Sequence, residues 1–130
     1  MTAWQAGMRI TAARLLDYTP ETVASGATAS AGFSLTTFSG RRAAGWVSVY
    51  LLVNRTGADI TATGGNIGDT AMCTLPAGWR PLDEINAQYG NGSMDGEAII
   101  ATNGLVTLRS ANATITSGTN LRLAAAFPTG

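Results

Sequence analysis

Strict two-residue alternation over Ala44–Asn54 constrains this chain more than any other feature. Val47, Val49, Leu51 and Val53 fall on one side, and Trp46, Ser48, Tyr50, Leu52 and Asn54 on the other. A period of two over this length specifies a β-strand whose faces meet different surroundings. The purely aliphatic face must be core. The mixed face is half-buried or covered by another subunit, which makes Trp46 and Tyr50 candidate oligomer-interface anchors.

The rest of the sequence reads as shorter strands laid around this one. Gly32–Phe38 places Phe33 and Leu35 on one side, and Ser39–Arg42 is expected to turn into the central strand. Asp59–Thr63 is a short alternating run, and Gly64–Gly68 a glycine loop. Leu82–Tyr89, Gly96–Thr102, Leu105–Arg109 and Asn120–Phe127 follow as strands, the last with Leu121, Leu123, Ala125 and Phe127 on one face. Asn103-Gly104 between two such runs is a specific hairpin signal, and Gly90–Ser93 a strong turn signal. About eight short strands at regular spacing predict an all-β fold, an antiparallel β-sandwich of jelly-roll-like form.

The N-terminus differs. Thr11 is placed to cap about two turns of helix through Leu16, and the residue before Pro20 is driven out of the helical region. Trp4, Met8, Ile10, Leu15 and Leu16 are much apolar surface for so short a segment. They pack either on the sandwich or on another chain. Residues 1–26 are accordingly expected to form a helical or extended attachment and oligomerisation segment, and 27–130 the sandwich domain.

Composition limits the function classes. At 130 residues the chain suits one domain, and only 12% of its residues are charged, about half the usual share. Thr, Ser, Asn, Gly and Ala must cover much of the surface, as in a protein that hides surface in an assembly. All eight basic residues are Arg, scattered along a chain of zero formal net charge. No concentrated positive field exists for nucleic acid or an anionic membrane. No apolar run approaches a membrane span and no signal peptide is evident, so synthesis in the cytoplasm without membrane insertion is expected.

No catalytic residue and no metal or other cofactor is expected. The chain has no His and a single cysteine, Cys73, in an apolar run, so His-based triads, the usual zinc sets and an internal disulfide are all unavailable. Asp83 and Glu84 are adjacent on an expected strand and point to opposite faces. Asp95 and Glu97 share a face but follow a glycine turn, where solvated charge is the default. The glycine loop precedes neither Lys nor helix, and Asp69 beside it belongs to no repeated oxygen-ligand pattern. Trp79, Arg80, Tyr89 and Asn91 lie near loop ends and form a candidate ligand-facing group able to stack on a sugar. The competing reading pins Trp79 to the core beneath its proline-bracketed corner.

That corner, Met72-Cys-Thr-Leu-Pro-Ala-Gly-Trp-Arg-Pro81, resembles the LP-x-G-aromatic-R-P corner of C-terminal β-sandwich domains in bacteriophage tail-fibre and baseplate proteins. Gly104-Leu-Val-Thr-Leu108 is similar to the hairpin strand that follows it there. Trp4-Gln-Ala-Gly-Met-Arg-Ile-Thr-Ala-Ala-Arg-Leu15 resembles the opening of short actinobacterial phage tail proteins, departing where Leu15 is followed by Leu16-Asp17 rather than Asn. The resemblance implies a non-enzymatic virion structural protein, a homotrimeric tail-fibre or tail-tip subunit of receptor-binding type. Its partners would be other copies of itself, other virion proteins and a host cell-surface saccharide. A capsid decoration or head-fibre protein is the alternative, and a free carbohydrate-binding module a further one. No binding residue transfers from the motifs, because the corner is structural.

Overall fold

The computed structural model describes residues 19–129. Trp4, Met8, Ile10, Leu15 and Leu16, with the expected short helix, lie outside the described residues. Nine strands are present: β1 (Glu21–Val23), β2 (Thr28–Ala29), β3 (Phe33–Ala43), β4 (Trp46–Arg55), β5 (Asn66–Thr74), β6 (Ile85–Gly90), β7 (Asp95–Ile100), β8 (Leu105–Ser110) and β9 (Asn120–Pro128). They form one antiparallel sheet in the order β1-β3-β4-β9-β6-β7-β8-β5-β2. The sheet curls on itself, giving the two layers of the expected β-sandwich. β6, β7 and β8 are consecutive neighbours, and β5 returns beside β8 in Greek-key fashion. The two layers meet at a narrow seam between β9 and β6, where only Tyr89↔Leu123 and Gly90↔Arg122 pair.

The alternation along β4 is fully realised. Val47, Val49, Leu51 and Val53 are buried, and they face Leu121, Leu123 and Phe127 of β9 in the same core cluster. Each fully buried aliphatic side chain contributes about 1.5–3 kcal/mol, so this pair of central strands supplies much of the core. Asn103-Gly104 makes the expected hairpin end. Gly104 adopts a φ of 88°, and the Asn103 side chain accepts the Leu105 amide at 3.0 Å.

Several boundaries differ from expectation. Ser39–Arg42 is not a turn but the second half of β3, which runs on to Ala43. A bulge lies between Leu35 and Thr37. It inserts one residue and moves the inward positions to Phe38 and Gly40. The turn lies at Ala44-Gly45, where φ is 53° and 82°, the left-handed pair that a two-residue hairpin demands. Asp59–Thr63 is not a strand and holds only isolated bridges, Ile60↔Ile115 and Thr63↔Asn66. Gly64 and Gly65 turn with φ of 59° and 83°, whereas Asn66–Gly68 already belongs to β5. Leu82, Asp83 and Glu84 precede β6 and are exposed. β1 pairs with β3, Glu21 opposite Arg42.

The register sorts the connections to two ends of the sandwich. One end gathers the Ala44-Gly45 turn, the proline corner, the Ala101–Gly104 turn and Pro128. Thr129 donates to the Gly45 carbonyl at 2.9 Å, Leu82 to Pro128 at 3.2 Å, and Leu75 to Gly104 at 2.9 Å. The opposite end gathers the 56–65, 91–94 and 111–119 connections. Arg55 donates to Thr119 there, Ala111 to Gly65, and Asn112 to Asp95.

Candidate functional site

The four residues grouped as a ligand-facing loop do not come together. Trp79 and Arg80 sit at the first end, Tyr89 and Asn91 at the other. Trp79 is also not an exposed aromatic: it is 7% exposed. Its ring lies on Gly40, where a Cβ would come within 2.9 Å of Trp79 Cε3. The Arg42 guanidinium stacks 4.5 Å from the ring centroid, donates to Gly78 O at 2.6 Å and pairs with Glu21 at 2.8 Å. Arg80 Nε donates to Leu75 O at 2.8 Å. The corner spends its aromatic and both arginines on itself, so the core-pinning reading describes it.

Tyr89 is buried as well. Its hydroxyl donates to Ser110 O at 2.6 Å across β7, a path kept open because position 96 is glycine. A Cβ on Gly96 would lie 1.9 Å from Ser110 O and 2.7 Å from the Tyr89 hydroxyl. Burial, with the Asp95 carboxylate second, pushes the Tyr89 phenol up to about 12. Asn91 serves the turn itself. Its side-chain oxygen accepts from the Ser93 and Met94 amides at 2.9 and 2.8 Å and from Ser93 Oγ at 3.1 Å, an Asx turn that fixes the loop.

That loop walls a cleft of about 540 Å³ on the outer side of the sheet, over the seam between β9 and β6. Tyr50 and Ala124, opposite each other on β4 and β9, line one side. Arg122 projects beside them, opposite Gly90 on β6 and close to Gly92. At both places a side chain would crowd its neighbours. A Cβ at Gly90 would lie 2.8 Å from Met94 O, and one at Gly92 3.3 Å from Arg122 Nη2. Asp95, Gln88 and Asn112 close the other side. Gln88 Nε2 donates to Asp95 Oδ2 at 3.1 Å, and the Asp95 amide donates to Asn112 Oδ1 at 3.1 Å. Among the described residues, neither Arg122 nor Asp95 is in an ion pair. One positive and one negative group thus face the same space without neutralising each other.

The sequence placed Tyr50 on the right face but assigned it only to an interface. Arg122 was legible as an outward position between Leu121 and Leu123. Asp95 was read only as solvated charge beside a turn, and Gln88 and Asn112 carry no local signal, since non-local pairing of β9 with β6 and the Asp95–Asn112 contacts bring them there.

Trp46 is separate from this cleft. It is 57% exposed at the opposite end, and Leu82 is 57% exposed too; among the described residues they are the exposed large hydrophobic side chains. Both flank Pro128, which pairs with Trp46 and accepts the Leu82 amide.

The acidic residues do not form a metal-binding group of three or more among the described residues. Cys73 is buried, and burial pushes its thiol up to about 12. A thiol so far from its thiolate form is a poor nucleophile.

No protein-family model matches this sequence, and no curated protein matches it. Among solved structures, the fold is similar to that of the receptor-binding protein gp15 of Listeria phage PSA. The TM-score is 0.53 at 15% sequence identity, over 91% of this chain and 71% of that one.

Proposed function

We propose that this chain is a non-enzymatic bacteriophage virion subunit of receptor-binding type, assembled as a homotrimer at the tail tip. The fold it shares with a phage receptor-binding protein carries the reading. The division of the molecule into two unlike ends supports it. Trp46 and Leu82 stand exposed on either side of Pro128 at one end, and exposed aromatic side chains are favoured anchors of contact between subunits. β1 also joins the sheet at that end, with Glu21 opposite Arg42. The polar cleft lies towards the other end and faces outwards. In this assignment Trp46 makes the contact between copies and Tyr50 belongs to the cleft.

The chemistry of the side chains agrees with binding rather than catalysis. The chain has no His, its thiol is held protonated, and Asp95 is tied to Gln88 on an exposed surface. Immunogold labelling of particles made from the genome that encodes the chain tests the reading. Gold at the tail tip is the expected result. Gold on the capsid would turn the assignment to decoration or head-fibre protein, and particles without label would refute a virion role. Deletion of residues 1–19 is expected to leave a folded sandwich that no longer joins the particle.

A further inference from the structure

Building on the receptor-binding reading, we infer that the Tyr50–Arg122 cleft takes an uncharged saccharide, one sugar ring lying on Tyr50 and its hydroxyls held by Asp95, Asn112 and Arg122. Tyr50 is half-buried on the outer face with only Ala124 and Ser39 opposite it, so one side of an aromatic ring lies beside small neighbours. An aromatic body with a polar tip suits the mixed surface of a sugar, which has apolar C–H faces and a rim of hydroxyls.

The polar groups around that ring are of both kinds. Asp95 can only accept, and Arg122 can only donate. Asn112 uses its side-chain oxygen on the Asp95 amide, which leaves its NH₂ to donate. A hydroxyl both donates and accepts, so neighbouring hydroxyls on one ring satisfy such a mixed set. An anionic ligand would meet the Asp95 carboxylate, and a cationic one the Arg122 guanidinium. With one charge of each sign, the cleft has no net charge to favour either.

An extended peptide fits less well. Tyr50 already pairs with Ser39 and Ala124, and Arg122 with Leu52 and Gly90. No main-chain edge is therefore free at these positions for strand addition. The cleft volume of about 540 Å³ lies within the usual range for small-ligand sites.

The test is a printed array of neutral and acidic glycans probed with the full-length protein, followed by titration of the best neutral oligosaccharide by isothermal calorimetry. The expected result is selective retention of neutral glycans. Affinity should fall at least ten-fold in Tyr50→Ala and in Arg122→Ala, and stay unchanged in Arg109→Ala, which removes the same charge from β8. Circular dichroism confirms that the variants fold, and Arg122→Ala, altering an exposed side chain, keeps the test valid if Tyr50→Ala does not. Preference for acidic glycans, or neutral binding indifferent to both cleft substitutions, would overturn the proposal. So would no glycan binding at all by a protein that immunogold still finds on the tail, which would leave the virion reading standing. Cleft-dependent glycan binding by a protein absent from particles would uphold the site and refute the virion reading instead.

Discussion

The Trp79 corner and the Tyr50 cleft are built from the same kinds of residue and do opposite things. Each sets an aromatic ring near an arginine. At the corner, Arg42 covers the indole, donates to Gly78 and pairs with Glu21, while Gly40 lets the ring lie flat on β3. Every strong group has found a partner within the chain. At the cleft, Tyr50 lines a space of about 540 Å³, and Arg122 and Asp95 face it without pairing. Aromatic–arginine composition therefore does not distinguish a structural anchor from a binding surface. Whether the donors are already used does.

The sharpest way to break this contrast is Trp79→Ala. Loss of a large buried aromatic costs about 3–5 kcal/mol, so chemical denaturation should show a large fall in stability. A change under about 1 kcal/mol would mean the corner is not a structural anchor. Gly96→Ala comes next. Its Cβ would collide with the Ser110 carbonyl and the Tyr89 hydroxyl, at an expected cost of about 1–3 kcal/mol. Melting of this variant separates the wall beneath the cleft, which must be rigid, from the cleft surface.

Alkaline titration probes the buried core, including Tyr89 beneath the cleft. Tyr89 and Cys73 are neutral in the fold, with values raised from 10.0 and 9.0 to about 12 in each case. A raised value in the folded state means that stability is fully present below the unfolded values and lost as pH rises towards the folded ones. The urea midpoint should hold steady below pH 9.0 and decline from there towards about 12. A midpoint flat over that window would contradict the burial of both groups. The smallest expected effect is Tyr50→Ala, a change of about 0.5–1 kcal/mol, against the large loss at Trp79.

Much of the scaffold was legible because it is written in local periodicity. The alternation along 44–54 and 120–127 identified both central strands and their buried faces, and Asn103-Gly104 identified a turn. Gly40 was misleading: a glycine between Ser39 and two arginines reads as a turn, yet it sits in mid-strand because Trp79 needs the room. The bulge beside Thr36 left no mark in the pattern beyond the change of phase between Leu35 and Phe38. The site was legible only in pieces. Tyr50, Tyr89 and Asn91 were each singled out, for an interface or a different loop, because the pairing that brings β9 between β4 and β6 is non-local. Trp79 and Tyr89 both lie near loop ends in the sequence but at opposite ends of the sandwich.

The central claim is that the Trp46 end joins copies of the chain and leaves the Tyr50 cleft free. Light scattering on the purified full-length protein tests it most directly, with Trp46→Ser and Tyr50→Ala measured alongside. The account predicts three times the 13.3 kDa subunit mass for the wild type and for Tyr50→Ala, and dissociation in Trp46→Ser. A wild-type monomer, or a trimer that survives Trp46→Ser and falls apart in Tyr50→Ala, would contradict it.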